Sequence, residues 1–231
     1  MANSANDELI GTWVTGWSGA RGYDNRHDGR VHASLRHDTT GDWEYVVHEP
    51  TNEELVAIAE TLIKHPNRRL VAFTDNTSEL VKAARTAGMS VVAQDEVIMS
   101  TAMAGHDVED PRPAEGFEWQ IERDGQHAWV SLHPENDHDV VAASGHVSVV
   151  GDVAVFDRII TDPDYRRRGF ASLVMRALAA IALEGEVVDG LLVATQDGQE
   201  LYKYLGWKTL GSAIVFEGGE PHILNSPTAH S

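Results

Sequence analysis

The chain has no cysteine, and it has half as many basic as acidic side chains: 18 lysines and arginines against 36 aspartates and glutamates in 231 residues. The first absence excludes disulfides, thiolate metal sites and a cysteine nucleophile. The second leaves a formal net charge of −18, which argues against nucleic-acid or anionic-membrane binding, since both need a basic surface. The same charge would suit an acidic cleft that attracts a cationic substrate. No stretch approaches the ~20 consecutive apolar residues that span a bilayer. The opening MANSANDELIGTW lacks the basic start and continuous apolar core of a signal peptide. A cytoplasmic protein is expected. Aromatic residues are few at 7%, but hydrophobic residues reach 42%, an ordinary globular share that argues against general disorder. The length allows one large domain or two small ones.

The first forty residues, rich in Gly, Asp, Arg and His, show no clear period and read as loop, with a strand at Thr12–Trp17. WEYVVHEP alternates as a strand. TNEELVAIAETLIKHP sets Thr51 and Glu54 as a capping box, with Leu55, Ile58, Ala59 and Leu62 on one face, and so predicts a helix. RRLVAFTD, TSELVKAARTAG and SVVAQDEVIMS then read as strand, helix and strand. Ala104–Gly116 (AGHDVEDPRPAEG) carries two prolines and no period. It is the candidate linker between an α/β region over 1–112 and a domain over 113–231. FEWQIE, HAWVSL, DVVAASGHVSVV and DVAVFDRIIT follow as strands. Phe170, Leu173, Val174, Ala177, Leu178 and Ile181 form the core-facing stripe of a helix that begins near Gly169. DGLLVAT reads as a central strand, DGQELYKYLGW as a short helix closed by Gly206, KTLGSAIVFE as a final strand or pair, and NSPTAHS as a frayed end. LVAFTDNTSEL echoes LVATQDGQEL. Either a strand–helix–strand unit has been duplicated or two unrelated units have converged.

The densest positive charge lies in DRIITDPDYRRRGFASLVMRAL, Asp157–Leu178. The first N–H groups of a helix have no intrahelical partners, and the helix dipole adds partial positive charge there. Cations are therefore misplaced at that end unless an anion joins them. Gly169 and the small Ala171 let a phosphate approach the backbone, and the arginines reinforce the seat.

Arg166-x-x-Gly169-x-Ala171, between a strand and an amphipathic helix, resembles the acyl-CoA pyrophosphate loop of the GNAT N-acetyltransferases. About thirty residues on, LYKYLGW is similar to the same family's Leu-Tyr-x-x-Leu-Gly-Phe, with Trp207 in place of Phe. The resemblance covers Phe117 to Phe216. It implies the acyl-CoA N-acyltransferase fold, a mixed α/β sheet, with acetyl-CoA as cosubstrate and no metal. Ile159, Ile160 and Thr161 would hold the pantetheine arm through their backbone. The amides of Arg167, Arg168, Gly169, Phe170, Ala171 and Ser172 would hold the pyrophosphate, with Arg166 and its neighbours adding charge. The strand at Leu191–Ala194 would splay away to admit the thioester, and Tyr202 would stand near the sulfur. Two departures follow. The Thr195–Tyr202 segment lacks the family's frequent asparagine, with Asp197 as a stand-in. The fold's first helices are also missing after the linker. The N-terminal β–α–β–α–β region either supplies them or is a degenerate second copy. Lacking an Arg-x-x-Gly-x-Ala loop and a tyrosine before Gly88, it is expected to bind no acyl-CoA and to shape the substrate cleft.

Tyr202 would remain protonated at neutral pH and could donate to a departing thiolate, or it could simply pack at a boundary. Asp157 is the first candidate for a general base and His146 the second. Asp157 could instead pair with Arg158 or a loop arginine. His133, Asp137, His138 and Asp139 form either a metal-ligand group or a solvated turn. Thr12–Asp38 either lines a cleft or lies on the surface. The expected function is N-acetylation of a primary amine on a small molecule by direct attack, since no cysteine can carry the acyl group. Protein lysine or N-terminal acetylation and a non-catalytic acyl-CoA-binding module are the alternatives. Two copies could pair through the final strands.

Overall fold

The computed structural model describes residues 4–105, 108 and 111–219. Parts of the candidate linker and the NSPTAHS end lie outside the described residues. Among the described residues there are five α-helices and eleven strands: α1 (Asp7–Ala20), β1 (Asp24–Asp28), β2 (Val31–Leu35), β3 (Trp43–His48), α2 (Asn52–Lys64), β4 (Arg69–Thr74), α3 (Thr77–Thr86), β5 (Met89–Ala102), β6 (Phe117–Asp124), β7 (His127–Pro134), β8 (Ala143–Val150), β9 (Val153–Thr161), α4 (Phe170–Ala182), β10 (Asp189–Ala194), α5 (Gln196–Tyr204) and β11 (Lys208–Gly218).

All eleven strands form one sheet in the order β1-β2-β3-β4-β11-β5-β10-β9-β8-β7-β6. The β3–β4 and β9–β10 pairs are parallel and the rest antiparallel. Leaving out the edge strand β6, the order is a palindrome in which each strand of the first half matches the strand six later. The last strand of each half crosses over: β11 pairs with β4, β5 pairs with β10, and the two meet at the centre. A cut at residue 112 therefore divides the chain but not the sheet.

Strand alternation splits the core between the two faces of the sheet. On one face, α4 and α5 cover Ala154, Phe156, Leu192 and Met99. Next to them, α2 and α3 cover Leu70, Ala72, Ile214 and Phe216. On the other face, α1 covers Val71, Phe73, Ile98, Val155 and Leu191. Gly16 allows the close approach, since a Cβ there would meet the Val155 side chain at 2.6 Å.

The N-terminal segment corrects the sequence reading. Residues 12–17 are not a strand but the middle of α1, and β1 and β2 occupy what read as loop. Ile10, Trp13, Val14 and Trp17 are buried at helical spacing, and Asn6 accepts from Leu9 N as the N-cap. Glycines at positions 11, 16 and 19 dilute this stripe, because they are selected for close packing rather than for helix propensity. α1 packs on β8 and β9, so the N-terminus supplies a helix to the C-terminal half. KTLGSAIVFE is one long strand with bulges.

Candidate active site

β9 and β10 pair only over Val153–Val155 and Asp189–Leu191, then part. Their outer edges stay paired, β9 to β8 as far as Thr161 and β10 to β5 as far as Ala194. The cause is a bulge: Ser144 faces Ile160 and His146 faces Asp157, which leaves one extra residue in β9, and Arg158 takes φ 52°. A bulge bends and twists its strand, here away from β10. Gly145 opposite the bulge leaves space for Ile159, Leu178 and Val174, each of which a Cβ would meet within 3 Å. Beyond Val155 and Leu191 the facing edges of β9 and β10 have no partner strand among the described residues; the Thr161 carbonyl accepts from Arg166 Nε at 3.4 Å, and Thr161 Oγ1 is buried with no hydrogen-bond partner.

The loop after β9 runs from Asp162, whose side chain accepts from Asp164 N, to Gly169, the N-cap of α4. Gly169 has φ 79° and Arg167 has φ 65°. Left-handed residues of this kind build anion-holding concavities of backbone N–H groups. No side chain caps α4, and a Cβ on Gly169 would stand in open space. Phe117, Tyr165 and Phe170 brace the loop through edge and stacked contacts of 4.8 to 6.4 Å. Arg168 lies over the Tyr165 ring at 5.2 Å. Of the three arginines, Arg166 and Arg167 line the cavity and Arg168 does not.

That cavity has a volume of about 1130 Å³ and spans both halves of the sheet. From the C-terminal half it takes Ile159, Ile160 and Thr161, the loop through Ser172, the end of β10, and Tyr202. From the N-terminal half it takes Trp13, Trp17, Arg36, Glu44, Arg69 and Glu96. Its charge differs from the acidic cleft that the composition suggests: six arginines and five carboxylates line it. The excess acid lies elsewhere on the surface.

Tyr202 is 7% exposed, whereas Tyr204 is 84% exposed. The Tyr202 ring packs against Gly198 and stands edge-on to Trp207 at 6.0 Å. Burial, with the Asp157 charge adding to it, holds its hydroxyl well above the usual tyrosine range, so the proton stays on. Asp157 accepts from Arg21 Nε at 2.6 Å and from Nη2 at 2.8 Å. Burial opposes the charge on Arg21, but the bonds and charge of Asp157 outweigh it and raise the guanidinium above its ordinary range. The ion partner of Asp157 is therefore neither Arg158 nor a loop arginine but the C-cap of α1, a partner 136 residues away that no local pattern announces. Arg158 reaches Asp38 on the β2–β3 loop, and Tyr23 donates to the same carboxylate. His146 faces Asp157 across β8–β9. Its burial pushes the imidazole down to about 4, leaving it neutral at physiological pH. His133 bonds the His138 carbonyl and Ser131, and His138 pairs with Glu118. Among the described residues no metal-ligating group of three or more forms.

Glu96 escaped the sequence reading. It stands in a strand-like run in the first half, and only the exchange of β5 brings it beside β10.

The family model described as Acetyltransferase (GNAT) family matches residues 96–207. Residues 96–207 form a GNAT acetyltransferase domain, an enzyme domain of the N-acetyltransferase type. The match starts inside β5, so the matched region includes the second half of the exchanged strand. The curated proteins give no match in sequence. Among solved structures, a GCN5-related N-acetyltransferase from Kribbella flavida is 14% identical with a TM-score of 0.66, over 96% of this chain and 98% of that one. An acetyltransferase of the GNAT family from Novosphingobium aromaticivorans is 12% identical with a TM-score of 0.59, over 91% and 97%. A tandem GNAT protein from the clavulanic acid biosynthesis pathway is 12% identical with a TM-score of 0.58, over 95% and 98%. At these identities the likeness is one of fold. Among the described residues no helix is long and apolar enough to cross a membrane.

Proposed function

We propose that the protein transfers the acetyl group of acetyl-CoA to a primary amine of a small molecule, by direct attack, in the cytoplasm. The observation that carries this reading is the continuity of the gap between β9 and β10 with the open start of α4 and, beyond it, with a cavity walled by the N-terminal half. When bound, acetyl-CoA supplies an activated acyl carbon and a thiolate leaving group.

The residues present fit it. The unpaired edges of β9 and β10 can bind the amides of the pantetheine arm, and the buried Thr161 hydroxyl awaits a partner. The N–H groups at the start of α4, with Arg166 and Arg167 beside them, can hold the pyrophosphate. None of these arginines has a carboxylate partner among the described residues. Tyr202 keeps its proton and can give it to sulfur, a contribution of roughly 10²-fold or more for a well-placed acid. The contact of Arg158 with Asp38 ties the N-terminal half over the cofactor side, which favours a small acceptor over a protein segment. The N-terminal half, with its own parallel strands fully paired, would line the cleft and bind no cofactor.

Calorimetric titration of acetyl-CoA and CoA tests the reading, using the intact protein and an Arg167→Glu, Gly169→Glu variant whose circular dichroism matches it. Binding to the intact protein and loss in the variant is expected. An intact protein that binds neither compound would sink it.

A further inference from the structure

The acceptor side of the cavity is built by strands of the N-terminal half, and two charged side chains there form no ion pair among the described residues. The other ions that the N-terminal half gives the cavity are matched, Arg21 with Asp157 and Arg36 with Glu44. Arg69 on β4 and Glu96 on β5 both line the cavity, and neither has an ion pair among the described residues.

Register places them. Val71, Val215 and Ala93 form one row across β4, β11 and β5. Because β4 and β5 are both antiparallel to β11, they run the same way. Arg69 precedes this row by two residues and Glu96 follows it by three, one of which is taken up by a bulge opposite Ala213–Val215. The two side chains therefore flank Val71, Val215 and Ala93 from opposite sides, with the Arg36–Glu44 pair beside this apolar row and Glu44 opposite Arg69 on β3. Strand spacing of ~4.8 Å and a rise of ~3.4 Å per residue put their Cα atoms on the order of 17 Å apart. With both side chains reaching inward, the gap suits a short aliphatic spacer.

Glu96 is also next to the chemistry. Val97 pairs with Ala194, so Glu96 is level with Thr195, one strand from the opened end of β10. Asp157 flanks the other side of that opening but is tied to Arg21 by two bonds. Burial raises the Glu96 carboxyl above its ordinary value; Asp95 and Glu44 add to the shift and Arg36 opposes it.

We propose, on the transferase reading above, that the acceptor is an amine carrying an anionic group across a short apolar spacer, its ammonium at Glu96 and its anion at Arg69, with Glu96 as the general base. One ammonium proton moves to a Glu96 oxygen and later to solvent. The freed nitrogen lone pair forms the C–N bond to the acyl carbon as the C–S bond breaks. Sulfur takes a proton from Tyr202, which recovers one from the same nitrogen. The ammonium has then lost two protons, one to the base and one to sulfur, and no oxidant or reductant is involved.

The test titrates 6-aminohexanoate and n-hexylamine into the protein by calorimetry, with and without saturating CoA, and then offers both as acceptors. The proposal expects 6-aminohexanoate to bind at least about tenfold tighter than hexylamine. It expects Arg69→Ala to erase that difference while leaving hexylamine unaffected. It expects Glu96→Gln to cut turnover by roughly 10²-fold with CoA affinity unchanged. Equal affinities in the intact protein, no binding of either amine, an Arg69→Ala loss common to both, or unchanged turnover in Glu96→Gln would each overturn it. The comparison in the intact protein stands even if a variant fails to fold. A protein that fails to bind CoA would instead sink the transferase reading, and the titration without CoA still decides the subsite.

Discussion

The two halves of the sheet run through the same elements in the same order, β3–α2–β4–α3–β5 and β9–α4–β10–α5–β11, yet only the second parts its parallel strands early and leaves the helix start between them without a side-chain cap. In the first, β3 and β4 pair over five residues, Glu44–His48 with Arg69–Phe73. Glu49 then bridges the strand ends: its amide bonds the Phe73 carbonyl, and its carboxylate accepts from Thr74 Oγ1 and Asp75 N. The start of α2 is closed by its own capping box, with Arg30 clamped on Glu54. That bond outweighs burial, which acts the other way, and with the Thr51 amide it holds the Glu54 carboxyl down to about 2. In the second, pairing stops after three residues, a bulge turns β9 aside, and a glycine replaces the capping side chain. The same scaffold is thus sealed or opened by a few residues at one strand–helix turn. Helix N–H groups that a side chain caps in one half are left without such a cap in the other.

This contrast can be broken from either side. The largest effect is expected at Gly169→Val: a β-branched residue is strained at φ 79° and would project into the space over the helix start. CoA should bind about 10²-fold more weakly, read by calorimetry, with little change in the fold. The matching change in the sealed half, Thr51→Ala, should cost about 1 kcal/mol of stability and lower Tm by about 2–4 °C, without touching CoA affinity. A loss of CoA binding there would mean that the first half takes part in cofactor binding after all. The smallest effect is a pH slope. His146 is neutral in the fold down to about 4, against 6.5 for the ordinary imidazole. Its folded value is depressed, so its contribution to stability is present above 6.5 and fades as pH falls toward 4. His146→Gln should flatten the fall in chemical-denaturation midpoint over that window. An unchanged slope would exclude the histidine as its source.

The turn at Arg166–Ala171, the LYKYLGW helix and the capping box of α2 were all legible in sequence, because each depends on neighbours within a turn or two of chain. Helix ends, caps and glycine turns are local: the groups that satisfy one another lie three or four residues apart. Two local readings still failed. The glycines of α1 hid its helical stripe, since they serve contact with the sheet rather than the helix itself. Net charge misjudged the cavity, because charge averaged over a surface says nothing about which side chains converge on one place. What tertiary structure alone decided is who meets whom. The exchange of β5 and β11, the hold of Arg21 on Asp157 and the arrival of Glu96 beside β10 are pairings over a hundred residues apart or across the two halves. They follow from sheet register, where one strand's choice of partner carries every side chain on it to a new neighbour.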